Sequence, residues 1–294
     1  MRIASLLPAG TEIAGRLGLA GDLVGVTFEC DDPPGIRQRV PVLVGTALPP
    51  GGDPAAIDAA VRERAAAGLG LYEVDRAALA AADPELILTQ DLCAVCALPG
   101  STVAQVQAEL GTRARVLSLD PRRLGDVLTA VTDVGAAAGA ADRAAALVDG
   151  LRARLAAVAA AVAGRPAPRV LVLEWTDPPF LPGHWVPDLV TAAGGVPVAA
   201  APGGRSTVAG PDDLVGCDAV LVAPCGFGLA DAVAQAGAVL DRLPPGVAVH
   251  AIDSASYVVR AGPRLVDGVE AIASLLHPGA VPAPPPGRVA TVRG

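Results

Sequence analysis

Short β-branched apolar runs alternate with Ala- and Leu-rich stretches along almost the whole chain, and this alternation restricts the fold more than any other feature. The strand-like runs of the first half are "RIASLL" (2–7), "LVGVT" (23–27), "LYEV" (71–74), "LILTQ" (86–90) and "RVLSL" (115–119). Those of the second half are "RVLVLEW" (169–175), "VPVAA" (196–200), "AVLVAP" (219–224) and "VAVHAI" (247–252). They are apolar at consecutive positions, as strands are when helices cover both faces of a parallel sheet. Helical stretches lie between them, at 54–68, 102–111, 123–138, 186–193 and 263–276. Strands and helices in this order predict an α/β fold.

The alternation has one seam. "ADRAAALVDGLRARLAAVAAAVAG" (141–164) favours helix without a strand, and "RPAP" ends it before a fresh strand begins at Arg169. The expected layout is two Rossmann-like lobes with parallel sheets, residues 1–140 and 166–277, bridged by one long helix at 141–165. A proline-rich tail, 278–294, follows and reads as extended or mobile chain.

Composition narrows the partners. The formal charge is −8, and all 22 basic residues are arginines, scattered along the chain. Nucleic acid is therefore not the expected partner. Without a lysine, Schiff-base and lysine-base chemistry are excluded. No stretch reaches the ~20 apolar residues of a membrane span, so no membrane insertion is expected. The opening "MRIASLLPAGTE" has an apolar run too short for a signal-peptide core. The expected location is the cytoplasm, where thiols stay reduced.

"RIASLLPAGTEIAGRLGLAGDLVGVTFECDDPP" (2–34), "AALAAADPELILTQ" (77–90) and "DPPFLPGHWVPDLVTAAGG" (177–195) together resemble the vitamin-B12 and iron-siderophore binding proteins of bacterial ABC importers, the cobalamin branch most nearly. The resemblance covers nearly the whole chain. It implies a fold like that of class III periplasmic binding proteins, two small α/β lobes joined by a single helix, with a small-molecule ligand held in the cleft between them. Where such proteins present a glutamate for docking on the transporter, Ala77 stands here. That speaks against docking on an ABC transporter and for a cytosolic relative.

In open parallel sheets ligands bind beyond the carboxyl ends of the strands. Cys30 follows "LVGVTFE", Cys93 and Cys96 follow "LILTQDL", and Cys225 follows "AVLVAP", so four of the five cysteines fall on that rim. Cys217 precedes its strand and reads as an inert buried thiol. Thiolates suit zinc and iron–sulfur clusters, and a Cys-x-x-Cys turn can direct two sulfurs to one metal. Cys30, Cys93, Cys96 and Cys225 are the expected metal ligands, as a four-thiolate set or as three with an open position. Glu29, Asp31, Glu174, Asp177 and His184 are neighbours that can complete such a site. A redox pair at Cys93 and Cys96, or plain buried thiols, remain alternatives.

Other residues suit an organic ligand. In "GHWVP" (183–187) His184 can ligate a metal or cap a corrin or haem axially, and Trp185 can stack on a flat ligand or simply pack. In "PAGTE" (8–12) Thr11 reads as an N-cap whose helix end can receive an anion or is simply a capped start with Glu12 in its first turn. "PGGRST" (202–207) can deliver Arg205 to an anionic ligand or leave it solvated. Tyr257 and Arg260, in "SASYVVRAGPR", match the segment that lines the cleft in the resembling family. The main expectation is a cytosolic binding protein of this fold that holds a cysteine-ligated metal or iron–sulfur cofactor in the cleft. The alternatives are a cobalamin or tetrapyrrole binder with incidental thiols, or an enzyme that uses an open cluster site.

Overall fold

The computed structural model describes residues 1–48, 53–90, 108 and 113–294. The chain divides into two compact units. Residues 1–121 and 126–149 form the first, and residues 122–125 and 150–294 form the second. The division falls inside the long helix expected at 141–165, which runs as Ala141–Val162.

In the first unit six strands form one sheet in the order β4-β3-β2-β1-β5-β6. They are β1 (Ile3–Ser5), β2 (Leu23–Thr27), β3 (Val42–Thr46), β4 (Tyr72–Val74), β5 (Leu86–Thr89) and β6 (Arg115–Ser118). All neighbours are parallel except β3 and β4. Helices α1 (Pro8–Arg16), α2 (Ile36–Arg39), α3 (Pro54–Ala66) and α4 (Arg76–Ala82) belong to this unit, as does α5 (Leu124–Ala137) apart from its first two residues. Helix α6 (Ala141–Val162) then leads into the second unit. Ala4, Leu6, Leu43, Leu79 and Ile87 are buried in one cluster on the sheet. Side chains such as Leu43 and Ile87 contribute roughly 1.5–3 kcal/mol each by leaving water.

The second unit is built on a five-stranded sheet in the order β10-β7-β12-β13-β14. Its strands are β7 (Arg169–Leu173), β10 (Val196–Pro197), β12 (Ala219–Val222), β13 (Ala248–Ile252) and β14 (Val289–Arg293). The first four are parallel. The rows Leu171, Val220 and Val249 and Leu173, Val222 and Ala251 are buried against α8 (Leu229–Val239), which contributes Ala232, Ala236 and Val239. Helices α7 (Val186–Ala192), α9 (Ser254–Tyr257) and α10 (Leu265–Leu276) belong to the same unit. A small antiparallel sheet, β8 (Trp175–Thr176), β9 (Pro179–Leu181) and β11 (Thr207–Val208), continues from the end of β7. The α/β class with mostly parallel sheets is thus as expected.

The end of the tail is extended and paired. Residues 289–293 form β14, antiparallel to β13, with His250 opposite Thr291 and Ile252 opposite Val289. Arg293 secures the far end of the strand by donating to the carbonyls of Val247 and Pro244, at 2.9 and 2.7 Å. Among the described residues no helix is long and apolar enough to cross a membrane.

Candidate functional site

Each unit presents polar residues where its parallel strands end. In the first unit Ser5, Thr27, Thr89 and Gln90 are buried at the ends of β1, β2 and β5, with Thr11 and Glu12 of α1 buried as well. Thr11 is not the N-cap expected from the sequence. Pro8, suited to the first helical position, starts α1 with Leu7 as the cap residue, and Thr11 falls a turn inside. Its hydroxyl lies 3.0 Å from Cys30 Sγ and bonds the Leu7 carbonyl at 3.4 Å. Cys30 is 1% exposed and is also approached by the Thr27 hydroxyl at 3.3 Å and the Thr27 N–H at 3.4 Å.

Of the expected metal ligands, Cys93 and Cys96 lie outside the described residues. Cys30 is enclosed by threonine hydroxyls in the first unit, while Cys225 is exposed just beyond β12 in the second. Among the described residues no group of three or more His, Cys, Asp or Glu side chains is arranged to hold a metal, and this includes Glu29, Asp31, Glu174 and Asp177. Cys217 is buried just before β12, and burial pushes its thiol above the ordinary range, in keeping with an inert role.

The second unit brings several of the other expected residues to one place. Glu174 directly follows β7, is 6% exposed, and accepts the Ser206 hydroxyl at 2.5 Å. The Cys225 N–H donates to the Glu174 carbonyl at 3.0 Å, so the ends of β7 and β12 are tied together. His184 lies in the turn between β9 and α7 with φ of +48°, a left-handed backbone that only a few non-glycine residues adopt. Two hydrogen bonds hold it there. Its N–H donates to the Gly204 carbonyl at 2.7 Å, and its own carbonyl accepts the Gly203 N–H at 2.9 Å. Gly183 makes this approach feasible, because a Cβ there would meet the Arg205 carbonyl carbon and the Ser206 nitrogen at 2.5 Å.

Three arginines converge on that turn. Arg123 makes a two-pronged ion pair with Asp188 of α7 at 2.7 and 2.8 Å, and the Leu124 N–H adds a third bond to the same carboxylate. This places residues 122–125 in the second unit, although the preceding strand belongs to the first. Arg122 and Arg205 are exposed, and both act electrostatically on His184. Burial chiefly, and then these two cations, hold the His184 imidazole below its ordinary pKa. The ring is therefore neutral at pH 7 and offers a nitrogen lone pair.

Behind His184 stands Trp185, ring centroids 5.8 Å apart. Trp185 is 7% exposed and its indole N–H donates to the Val258 carbonyl at 2.8 Å, so it forms the wall of the turn. Tyr257, 6% exposed, lies beneath the guanidinium of Arg288, whose carbon is 5.2 Å from the ring centroid. Arg260 is half-buried in the loop after α9. Sequence reasoning did not single out Arg122, Asp253 or Arg288. Only the fold brings Arg122 to His184 and Arg288 to Tyr257, and no local motif marks them.

The two depressed histidines make stability depend on pH. His250 of β13 is also held below its ordinary value, by burial, with Nδ1 3.1 Å from the Thr291 hydroxyl of β14. A histidine whose folded pKa lies below the unfolded value of about 6.5 leaves the unfolded chain binding more protons between the two values. The contribution of these groups is intact above about pH 6.5 and is lost as the pH falls through the folded pKa. The urea midpoint is expected to be lower at pH 5.5 than at pH 7.5. A His184→Gln/His250→Gln double variant should show a smaller drop, and an equal drop would assign the acid sensitivity elsewhere.

No family model matches the chain, and no curated protein matches it. Solved structures do. A periplasmic haem-binding protein from Pseudomonas aeruginosa is similar with a TM-score of 0.72 and 21% identity, over 99% of this chain and 97% of that one. The periplasmic haem-binding protein HutB of Vibrio cholerae is similar with a TM-score of 0.68 and 20% identity, over 95% and 99%. The periplasmic vitamin-B12-binding protein BtuF of Vibrio cholerae gives 0.65 and 18%, over 94% and 96%. Over nearly its full length, the chain has the two-lobe α/β fold of these periplasmic binding proteins.

Proposed function

We propose that the protein binds a haem-type metal tetrapyrrole, with His184 as the side chain that ligates the metal. The observation that carries this reading is the His184 imidazole, held in a left-handed turn between β9 and α7, half-buried, and within electrostatic reach of Arg122 and Arg205. A neutral imidazole coordinates iron without first losing a proton, and histidine is a standard haem ligand. Haem also carries ionised carboxylate side chains, which guanidinium groups recognise well. The fold shared with haem-binding proteins supports the same conclusion.

Cobalamin is the second reading, favoured by the likeness to a vitamin-B12-binding protein. Its peripheral side chains are amides and its one anionic group is a phosphodiester, whereas haem offers two carboxylates for guanidinium recognition. The cysteine-ligated zinc or iron–sulfur reading finds no ligand group among the described residues and ranks below both.

Titration of the purified protein with ferric haem, followed by absorption, tests the proposal. Saturable one-to-one binding is expected, tighter than for hydroxocobalamin. Arg205→Ala is expected to weaken ferric haem about threefold at low salt, the size of an exposed ion pair. It should leave the dimethyl ester of haem unaffected. An equal loss for acid and ester would remove carboxylate recognition from the role of Arg205.

A further inference from the structure

We propose that Arg288, in the C-terminal tail, is a positioning residue for the His184 site. A chain of contacts within the second unit carries this inference. Strand β14 brings the tail alongside β13, and the Asp253 N–H donates to the Arg288 carbonyl at 2.8 Å. The Arg288 guanidinium then turns inward. It donates to the Asp253 carboxylate and to the Ser256 hydroxyl, the latter at 3.0 Å, and covers the Tyr257 ring. The other oxygen of Asp253 accepts the Ser256 N–H at 3.2 Å and so caps α9.

Helix α9 has only four residues, too few to hold its shape unaided. Its geometry depends on that cap, and the cap is a carboxylate only 7% exposed whose ion-pair partner is Arg288. Immediately after α9, Val258 presents the carbonyl that receives the Trp185 indole N–H. Trp185 in turn backs His184. Removing the guanidinium leaves a buried negative charge uncompensated, which is costly enough to displace a short helix. The displacement passes through Val258 to Trp185 and to the imidazole. Arg288 thus acts on the site without touching what binds there.

The effect on affinity rests on the haem reading above, whereas the effect on Trp185 does not. The chain has two tryptophans, so a Trp175→Phe background leaves Trp185 as the sole reporter. In that background Arg288→Ala is expected to move Trp185 emission to longer wavelength and to weaken ferric haem roughly tenfold, within the range of coupling carried through packed networks. Arg288→Lys, which keeps the charge but not the planar fork, should recover part of both. Arg293→Ala is the control, because it loosens the other end of β14 without touching Asp253.

Equal losses in Arg293→Ala and Arg288→Ala would show that the tail merely stabilises the unit and would overturn the proposal. Unchanged Trp185 emission in Arg288→Ala would overturn it as well. If the parent protein bound no haem while Arg288→Ala still shifted Trp185, the positioning role would stand and the haem reading would fall.

Discussion

Replacing His184 by alanine or by glycine is expected to abolish tight haem binding, and the glycine variant should be the more stable of the two by about 1 kcal/mol. The loss of binding follows from the role of the imidazole. Mutating residues that merely orient a metal ligand costs about 10–100-fold, so removing the ligand itself should cost at least about 100-fold. The difference in stability follows from the backbone. At φ of +48° alanine retains the crowding of a Cβ in the left-handed region, and glycine does not. The turn cannot relax cheaply to a right-handed conformation. The bonds from His184 to Gly203 and Gly204, and the Gly183 approach to residues 205 and 206, fix it from both sides. Haem titration and urea unfolding of the same two variants check both halves. Alanine and glycine variants that keep parental affinity would remove His184 from the site. Equal stabilities would show that the turn adjusts. The expected combination, a strained backbone at the residue proposed to bind, is what a site held for its ligand produces.

Much of the fold could be read from the sequence because its signal is local. Consecutive apolar β-branched residues, as in "RVLVL" and "AVLV", are enough to mark buried parallel strands, and β7 and β12 lie where those runs predict. Signals that need a partner were not legible. Strands β8, β9 and β11 have two or three residues each and exist because they pair with one another. Strand β14 follows a proline-rich stretch that reads as open chain, and its pairing with β13 is a long-range event. At the site the division is similar. His184 stood out because its turn follows a strand. Its left-handed backbone, the depressed imidazole and the arrival of Arg122 all depend on residues distant in sequence. The cysteines show how far position alone carries. Their places after strands suggested convergence; Cys30 lies against Thr11 and Thr27, Cys225 is exposed beyond β12, and Cys93 and Cys96 lie outside the described residues. Position after a strand says which edge a residue occupies, not which way its side chain points.

The largest effect on stability is expected from Gly268→Ala. In an exposed helix interior this exchange stabilises by up to ~1 kcal/mol, since alanine is the better helix former. Gly150, exposed in α6 with nothing within 4 Å of an added Cβ, should behave that way. Gly268 in α10 faces the end of α9 instead. A Cβ there would lie 2.0 Å from the Tyr257 carbonyl oxygen and 3.0 Å from its carbon. The obstacle is backbone, so no rotamer change relieves it, and the two helices must separate by roughly the missing ångström or more. Steric cost then outweighs propensity, and a loss of about 3 kcal/mol is expected. The same displacement moves Tyr257 and Val258, so Trp185 loses its acceptor and haem affinity falls with the fold still formed at low temperature. Urea melts of Gly150→Ala and Gly268→Ala should therefore move in opposite directions. Should both variants gain stability, the close crossing of α9 and α10 is not maintained in solution, and the route from the tail to His184 loses its middle link.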